Sequence, residues 1–311
     1  MDLMPSLIQE TVTPLEATVH LPNRQAPFHL TGLRSTRLPE GDFGKTMVYV
    51  AGLGGSFQWA SAFWKDLIEV GTLDSVIGID LPSFGVNHHL KVSTLRACIE
   101  DLKTLCALNT LKTALHIQHM EYGFFSAISL GAVSSLYVLP DVQDDYTGII
   151  LFVPAFKGCR KTYTPTYIAS ALWKSVLYTL RQTLETPLKL PYTMDAITQC
   201  PQLRQAYKAH HAGGVIQHPL GFMTSILPWQ INAPRQVKQL KKPVLMMTAG
   251  QDWVCETATM HKAFKQLPPH PFHQLAHFPT LYHDVLLEPD RMILKEPIQQ
   301  WMNACVKASD A

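Results

Sequence analysis

The stretch Phe124–Val133, FFSAISLGAV, decides how the chain is read. Its first half is apolar and aromatic, as in a buried strand. Its second half suits a helix, and Ser129 stands at the change. A serine presented at such a junction needs a sharp turn, so larger side chains two positions before or after it would clash with neighbouring elements. Ala127 and Gly131 meet that requirement in the run Ala127-Ile128-Ser129-Leu130-Gly131. The stricter form of the same steric rule is G-x-S-x-G. Ser126 fails it, because bulky Phe124 and Ile128 flank that position. The competing reading of Ser129 is an ordinary helix N-cap, and the motif by itself leaves both open.

Working outward, buried strands recur at intervals. TMVYVAGLGG (46–55) runs into a loop whose glycines allow a tight bend, and SVIGIDLPSFG (75–85) runs into a Pro/Gly loop. TGIILFVPA (147–155) and KPVLMMTAGQDW (242–253) are further strands, and HPFHQLAHF (270–278) is a short one. Between them lie helical patterns: FWKDLIEVG (63–71), with Gly71 as a C-terminal stop, TLRACIEDLKTLCALN (94–109), LGAVSSLYVL (130–139), TATMHKAFKQL (257–267) and EPIQQWMNACVKA (296–308). In the second of these, Leu95, Cys98, Ile99, Leu102, Leu105 and Cys106 share one face. FHLTGLRSTRLPEGD (28–42) reads as an edge hairpin turning at PEGD.

This alternation predicts an α/β fold: a mostly parallel central sheet with helices on both faces. It pauses over residues 156–240, which are helical in pattern, broken by prolines, and without a convincing buried strand. The expected organisation is a core from 1–155 and 241–311 with an inserted helical cap at 156–240. A length of 311 residues is compatible with one such domain.

Composition excludes several function classes. With 47% hydrophobic and 16% charged residues and a net charge of +2, the chain is globular and has no basic tract for nucleic acid or anionic membranes. Six scattered cysteines without a C-x-x-C pair suggest reduced thiols. The opening MDLMPSLIQETVTPLEA does not have the pattern of a secretory leader, and no apolar run is long enough to span a bilayer. A cytoplasmic location is the expectation. The paired histidines His88-His89 and His210-His211 and the series His270, His273, His277 lack metal-site spacing, so no metal is expected.

In open α/β sheets, reactive groups gather at the carboxyl ends of strands. Ser129, Asp252 and His283 all follow strands there, in the order Ser, Asp, His. That trio suits nucleophilic catalysis: a serine hydroxyl is weak until a base takes its proton, and an aspartate holds the base in the right tautomer. Each has a bland reading as well, His283 as one of 14 histidines and Asp252 as a turn residue. Backbone N–H groups of Leu130 and Leu53 would supply an oxyanion hole, with glycines at 52, 54 and 55 letting the backbone approach a substrate. Asp80, ending the strand in GIDLPSFG, reads as a loop-ordering residue.

With these residues in place, the chain resembles the α/β-hydrolase superfamily, and within it the monoacylglycerol lipase and lysophospholipase group. VYVAGLGGSFQWASAF (48–63) is similar to that group's oxyanion segment, usually H-G-x-G. VIGIDLPSFGVN resembles its D-x-R-G-H-G-x-S loop, and AISLG its G-H-S-M-G elbow. KPVLMMTAGQDWVC and LYHDVLLEPD look like its acid and histidine segments, the latter commonly Y-H-E-x-x-x-E, and CPQLRQAYKAHH resembles part of its cap. The resemblance covers roughly residues 28–303. Ala51 replaces the oxyanion-loop histidine, Pro82, Ser83 and Phe84 replace R-G-H, and Ile128 replaces the histidine before the nucleophile.

The resemblance implies carboxylic-ester hydrolysis through an acyl-enzyme without a cofactor, on a small-molecule or lipid ester of monoacylglycerol or lysophospholipid type. Transient contact with lipid surfaces would suit that substrate. A thioesterase, acyltransferase or peptidase on the same scaffold is the alternative among enzymes. A non-catalytic binding protein that keeps the fold is the alternative outside them. Ile168, Leu172, Trp173, Val176 and Leu177 share one helical face in YIASALWKSVLYTL, and HPLGFMTSILPW adds Leu220, Phe222, Met223, Ile226 and Leu227. Most of these would pack the cap onto the core. Some, with Gly52, Trp173, Leu177, Phe222 and Ile226 as candidates, would line the substrate cleft.

Overall fold

The computed structural model describes residues 11–92, 94–160, 162, 172, 187–210 and 215–310. Ten strands occur among them: β1 (Val12–Val19), β2 (Phe28–Ser35), β3 (Lys45–Val50), β4 (Ser75–Ile79), β5 (Tyr122–Ile128), β6 (Gly148–Phe152), β7 (Pro187–Thr193), β8 (Val215–Pro219), β9 (Val244–Ala249) and β10 (Gln274–Phe278). The described helices are α1 (Phe57–Glu69), α2 (Leu95–Leu105), α3 (Leu108–Ala114), α4 (Ser129–Ser135), α5 (Leu139–Val142), α6 (Met194–Ile197), α7 (Pro201–His210), α8 (Leu220–Gln236), α9 (Thr257–Phe264) and α10 (Lys295–Ser309), with short 3-10 turns between some of them.

Eight strands form one sheet in the order β1-β2-β4-β3-β5-β6-β9-β10. Pairing is antiparallel from β1 to β2 and from β2 to β4, and parallel from there to β10. Every residue of β4, β6 and β9 is buried. Because successive side chains point to opposite sides, helices must cover both faces, as expected of parallel strands. The edge strands differ: between its buried ends Val12 and Val19, β1 alternates half-buried and exposed positions, and no residue of β10 is buried. Trp64 of α1 packs at 5.1 Å from Tyr49 of β3 and edge-on at 6.3 Å from Phe152 of β6, and Trp301 of α10 packs at 6.1 Å from Phe124 of β5.

Helix positions follow from the sequence signals. Ser56 caps α1 by accepting from the N–H of Gln58, and Gly71, at φ 74°, follows its end. In α2, the five apolar positions Leu95, Cys98, Ile99, Leu102 and Leu105 are all buried.

Three expectations need correction. The partner of β2 is not across PEGD but upstream: β1 pairs with it from Val12↔Ser35 to Val19↔Phe28, so β2 is internal and β1 is the edge. PEGD is still a turn, with the Asp42 N–H donating to the Pro39 carbonyl. The stretch 156–240 is not purely helical, because β7 and β8 form a separate antiparallel pair within it. Prolines end that pair, with Pro187 opposite Pro219, where neither can donate to a ladder. LGAVSSLYVL is helical only to Ser135, where α4 ends; a turn follows, and α5 starts at Leu139, the last residue of the stretch.

Trp301 is buried over Gly148, and its indole N–H donates to the Phe272 carbonyl at 2.8 Å. Trp301→Ala should therefore leave a large cavity and an unpaired carbonyl. We expect a loss of about 3–5 kcal/mol, measured as a lower urea midpoint with an unchanged slope. A loss below about 1 kcal/mol would contradict this packing.

Candidate active site

Parallel strands bring loops distant in sequence to one edge of the sheet. The loop after β3 lies beside the turn after β5 because those strands are neighbours, and a Cβ on Gly52 would stand 3.1 Å from the Ser129 Cβ. Gly52 therefore leaves the serine open. Ser129 has φ 54°, a left-handed conformation that costs a non-glycine residue about 1–3 kcal/mol. The turn persists because its surroundings leave no alternative. Ala127 is fully buried, and a Cβ on Gly131 would lie 2.2 Å from the Ala51 carbonyl oxygen. The Ala155 N–H also donates to the Ser129 carbonyl at 3.1 Å, and Gln230 of α8 donates to the Ala155 carbonyl at 2.6 Å.

The Ser129 hydroxyl does not cap its helix, since α4 starts at Ser129 and has no side-chain cap. It meets His283 instead: Oγ is 2.9 Å from Nε2. On the far side of the ring, Nδ1 is 2.8 Å from Oδ2 of Asp252. The other Asp252 oxygen accepts from the N–H groups of Val254 (2.8 Å) and Cys255 (2.7 Å), which fixes the carboxylate. An Nδ1–H donating to Asp252 leaves Nε2 as an acceptor for the Ser129 proton. The arrangement can thus take a proton from the hydroxyl as it attacks an electrophile, and later return it.

Electrostatics support this polarity. His283 is 5% exposed, and burial disfavours the imidazolium. The charge and hydrogen bond of Asp252, with the charge of Asp284, outweigh that, so the His283 pKa is raised above its ordinary value. Asp284 follows it in the chain, half-buried as a residue. Burial pushes its carboxyl up to about 6, against the opposing His283 charge and the N–H groups of Leu286 and Leu287, and its Oδ1 has no partner among the described residues.

The residues expected to supply oxyanion donors are Leu130 and Leu53. Leu130 is in the first turn of α4, where N–H groups have no partner within the helix. Leu53 is in the glycine loop beside it, and its N–H has no acceptor among the described residues. Asp80 ties the start of α1, which follows that loop, to the turn after β4: its carboxylate accepts from the N–H groups of Phe57 (2.6 Å) and Val86 (3.1 Å). Burial raises the Asp80 pKa to about 6, despite those two bonds.

Above the loop, Leu53 and Trp59 pack with Met194, Ile197 and Met223, contributed by α6 and α8. Phe222 is 1% exposed and edge-on to Phe84 at 6.0 Å, and Ile226 is also buried. Both help seat α8 on the core, as does Tyr137, which donates to the Trp229 carbonyl at 2.6 Å. Trp173 and Leu177 lie outside the described residues, and Leu172 is exposed. Asp252, Cys255 and His283 are close enough to share a metal ion, but Asp252 and His283 are already bonded to each other and Cys255 is a buried thiol raised well above its ordinary pKa. Their donor set fits a proton relay rather than a metal centre. Of the residues that sequence reasoning missed, Gln230 and Ala155 act through contacts far apart in the chain and leave no local motif, whereas Asp284 lies beside His283 within LYHDVLLEPD.

This sheet and this constellation define an α/β-hydrolase. Residues 42–290 match the family described as serine aminopeptidase, S33, and the chain belongs to that family of hydrolases. Comparison with curated proteins gives no match. Among solved structures, a soluble variant of monoglyceride lipase from Saccharomyces cerevisiae, in complex with a substrate analogue, has a TM-score of 0.76 at 15% identity, over 96% of this chain and 97% of that one. A monoacylglycerol lipase from Paleococcus ferrophilus has a TM-score of 0.63 at 19% identity, over 85% and 96%. A peroxisomal α/β-hydrolase of Saccharomyces cerevisiae has a TM-score of 0.62 at 14% identity, over 96% and 90%. No described helix is long and apolar enough to cross a membrane.

The raised His283 pKa carries a sign. Its charge pairing contributes stability that is fully present below the ordinary imidazole value of about 6.5 and is lost as pH rises through the folded-state value. NMR titration of His283 should give a midpoint above about 6.5, falling in Asp252→Asn. A wild-type midpoint below that of the variant would contradict the assignment of Asp252 as its partner.

Proposed function

We propose that the protein is a serine hydrolase that cleaves carboxylic esters through an acyl-enzyme. The observation that carries this reading is the continuous line Ser129–His283–Asp252, bonded at 2.9 and 2.8 Å. Ser129 Oγ attacks the ester carbonyl as His283 Nε2 takes its proton. The oxyanion is held by the N–H groups of Leu53 and Leu130. His283 returns the proton to the departing alcohol, leaving an acyl group on Ser129. Water, deprotonated by His283, then releases the acid. Asp252 stabilises the imidazolium in both halves.

Residues 156–240 act as the cap over this site, and an apolar acyl chain fits best between cap and core. Supporting this are the cluster of Leu53, Trp59, Met194, Ile197 and Met223 against the oxyanion loop and the lipases among the similar structures. A monoacylglycerol or lysophospholipid-type ester is accordingly the preferred substrate, with Gly52 along its path. The second reading is peptide hydrolysis, which the family description favours. An aminopeptidase must also hold a free ammonium group, for which the hydrophobic cluster of Leu53, Trp59, Met194, Ile197 and Met223 offers no anion.

Wild-type protein should react with a fluorophosphonate probe, and Ser129→Ala and His283→Ala should not. Ester hydrolysis should fall by a factor on the order of 10⁴ or more in Ser129→Ala, and the wild type should prefer longer acyl chains to acetate. A folded Ser129→Ala variant with full esterase activity would refute this reading. Faster cleavage of aminoacyl amides than of esters would favour the second.

A further inference from the structure

We propose that Glu288 is a positioning residue: its buried carboxylate fastens Gln199, from the segment inserted between β6 and β9, to the loop that carries His283, and so sets the imidazole over Ser129. The proposal rests on the serine-hydrolase reading for its catalytic consequence, though not for its geometry.

Glu288 is fully buried, and no cation pairs with it among the described residues. A carboxylate taken out of water without a counter-charge is costly unless hydrogen bonds replace its hydration. Three N–H groups do so here. Oε1 accepts from the backbone N–H of Gln199 at 2.7 Å. Oε2 accepts from the Gln199 side-chain amide at 2.8 Å and from the N–H of Tyr282 at 3.3 Å. Tyr282 immediately precedes His283.

The loop from β10 to His283 has little regular structure of its own, so its shape depends on such fastenings. The Gln199 amide also donates to the Thr280 carbonyl at 2.9 Å. The Asp284 N–H donates to the Ile197 carbonyl at 2.8 Å, and the Thr198 hydroxyl donates to the Leu287 carbonyl at 2.9 Å. Residues 197–199 thus hold the loop on both sides of His283, and Glu288 lies where these contacts converge. Arg204 braces the same segment by donating from Nε to the Thr198 carbonyl at 2.6 Å. Cap placement and imidazole placement are therefore one mechanical unit. A shift of about 1 Å in a catalytic group can cost about 10²-fold in rate, which gives this fastening a functional scale.

Glutamine cannot replace Glu288 neutrally. Its amide end would face either the Gln199 backbone N–H or the Tyr282 N–H, donor against donor. A flip of the Gln199 amide to compensate would turn its oxygen toward the Thr280 carbonyl.

The test compares wild type, Glu288→Gln, Gln199→Ala and the double variant. Circular dichroism checks the fold, fluorophosphonate labelling gives the rate, and the NMR resonance of the His283 Nδ1 proton reports imidazole placement. Folded Glu288→Gln should label about tenfold slower or worse, with lower kcat, little change in KM, and a shifted or broadened Nδ1–H signal. Gln199→Ala should show the same pattern, and the double variant should be less impaired than the product of the singles requires. If Glu288→Gln does not fold, Gln199→Ala decides, since it removes two of the bonds and leaves the carboxylate. Wild-type labelling rate and an unchanged Nδ1–H signal in folded variants would overturn the proposal. If wild type itself is not labelled, the serine-hydrolase reading fails, and the Nδ1–H signal alone still decides: changed in the variants supports the fastening, unchanged overturns it.

Discussion

A serine with φ 54° at the end of a buried strand holds the rest of the site in register. The left-handed conformation directs the chain from β5 into α4 within one residue and leaves the hydroxyl outside the helix's own hydrogen bonding. Its cost is about 1–3 kcal/mol, and neighbours must impose it. They do so by close approach: the loop after β3 lies so near that position 131 has no room for a side chain, and position 52 little. The strain is thus supported by the sheet order, which sets β3 beside β5.

The histidine comes to the serine by a different route. Ser129 and Gly52 are fixed by adjacent strands, but His283 stands on a loop beyond the edge strand β10, where little regular structure surrounds it. Asp252 orients the ring from β9, and residues 197–199 with Glu288 hold the loop. Ser129 is linked to the inserted segment as well, through Ala155 and Gln230. Ser129 and His283 are therefore both held by residues between β6 and β9. On the proposed function, a change there would be felt as chemistry as much as substrate access.

Much of this was legible in the sequence, for identifiable reasons. Strands buried on both faces, such as β6 and β9, are unbroken apolar runs, so their ends and the residues beyond them could be located. Ala127 and Gly131 marked the turn because the steric demand acts on residues two away in sequence. Asp80 was read as a loop-ordering residue, and its two backbone bonds agree. β1 was not legible, because an edge strand open on one side alternates weakly and Pro14 interrupts it. β7 and β8 were missed because prolines within and beside short strands mimic loop composition. The Glu288–Gln199 contact joins residues 89 positions apart, and although Glu288 falls within the histidine segment LYHDVLLEPD, nothing in that segment points to Gln199.

The central claim is that Ser129 carries the acyl group during turnover. The most direct measurement is rapid-quench mass spectrometry of the protein mixed with a chromogenic medium-chain ester. One acyl group per chain, formed in a burst and located on the peptide containing Ser129, is the expected result. Steady ester turnover with Ser129 unmodified throughout, or an acyl group on a different residue, would contradict it.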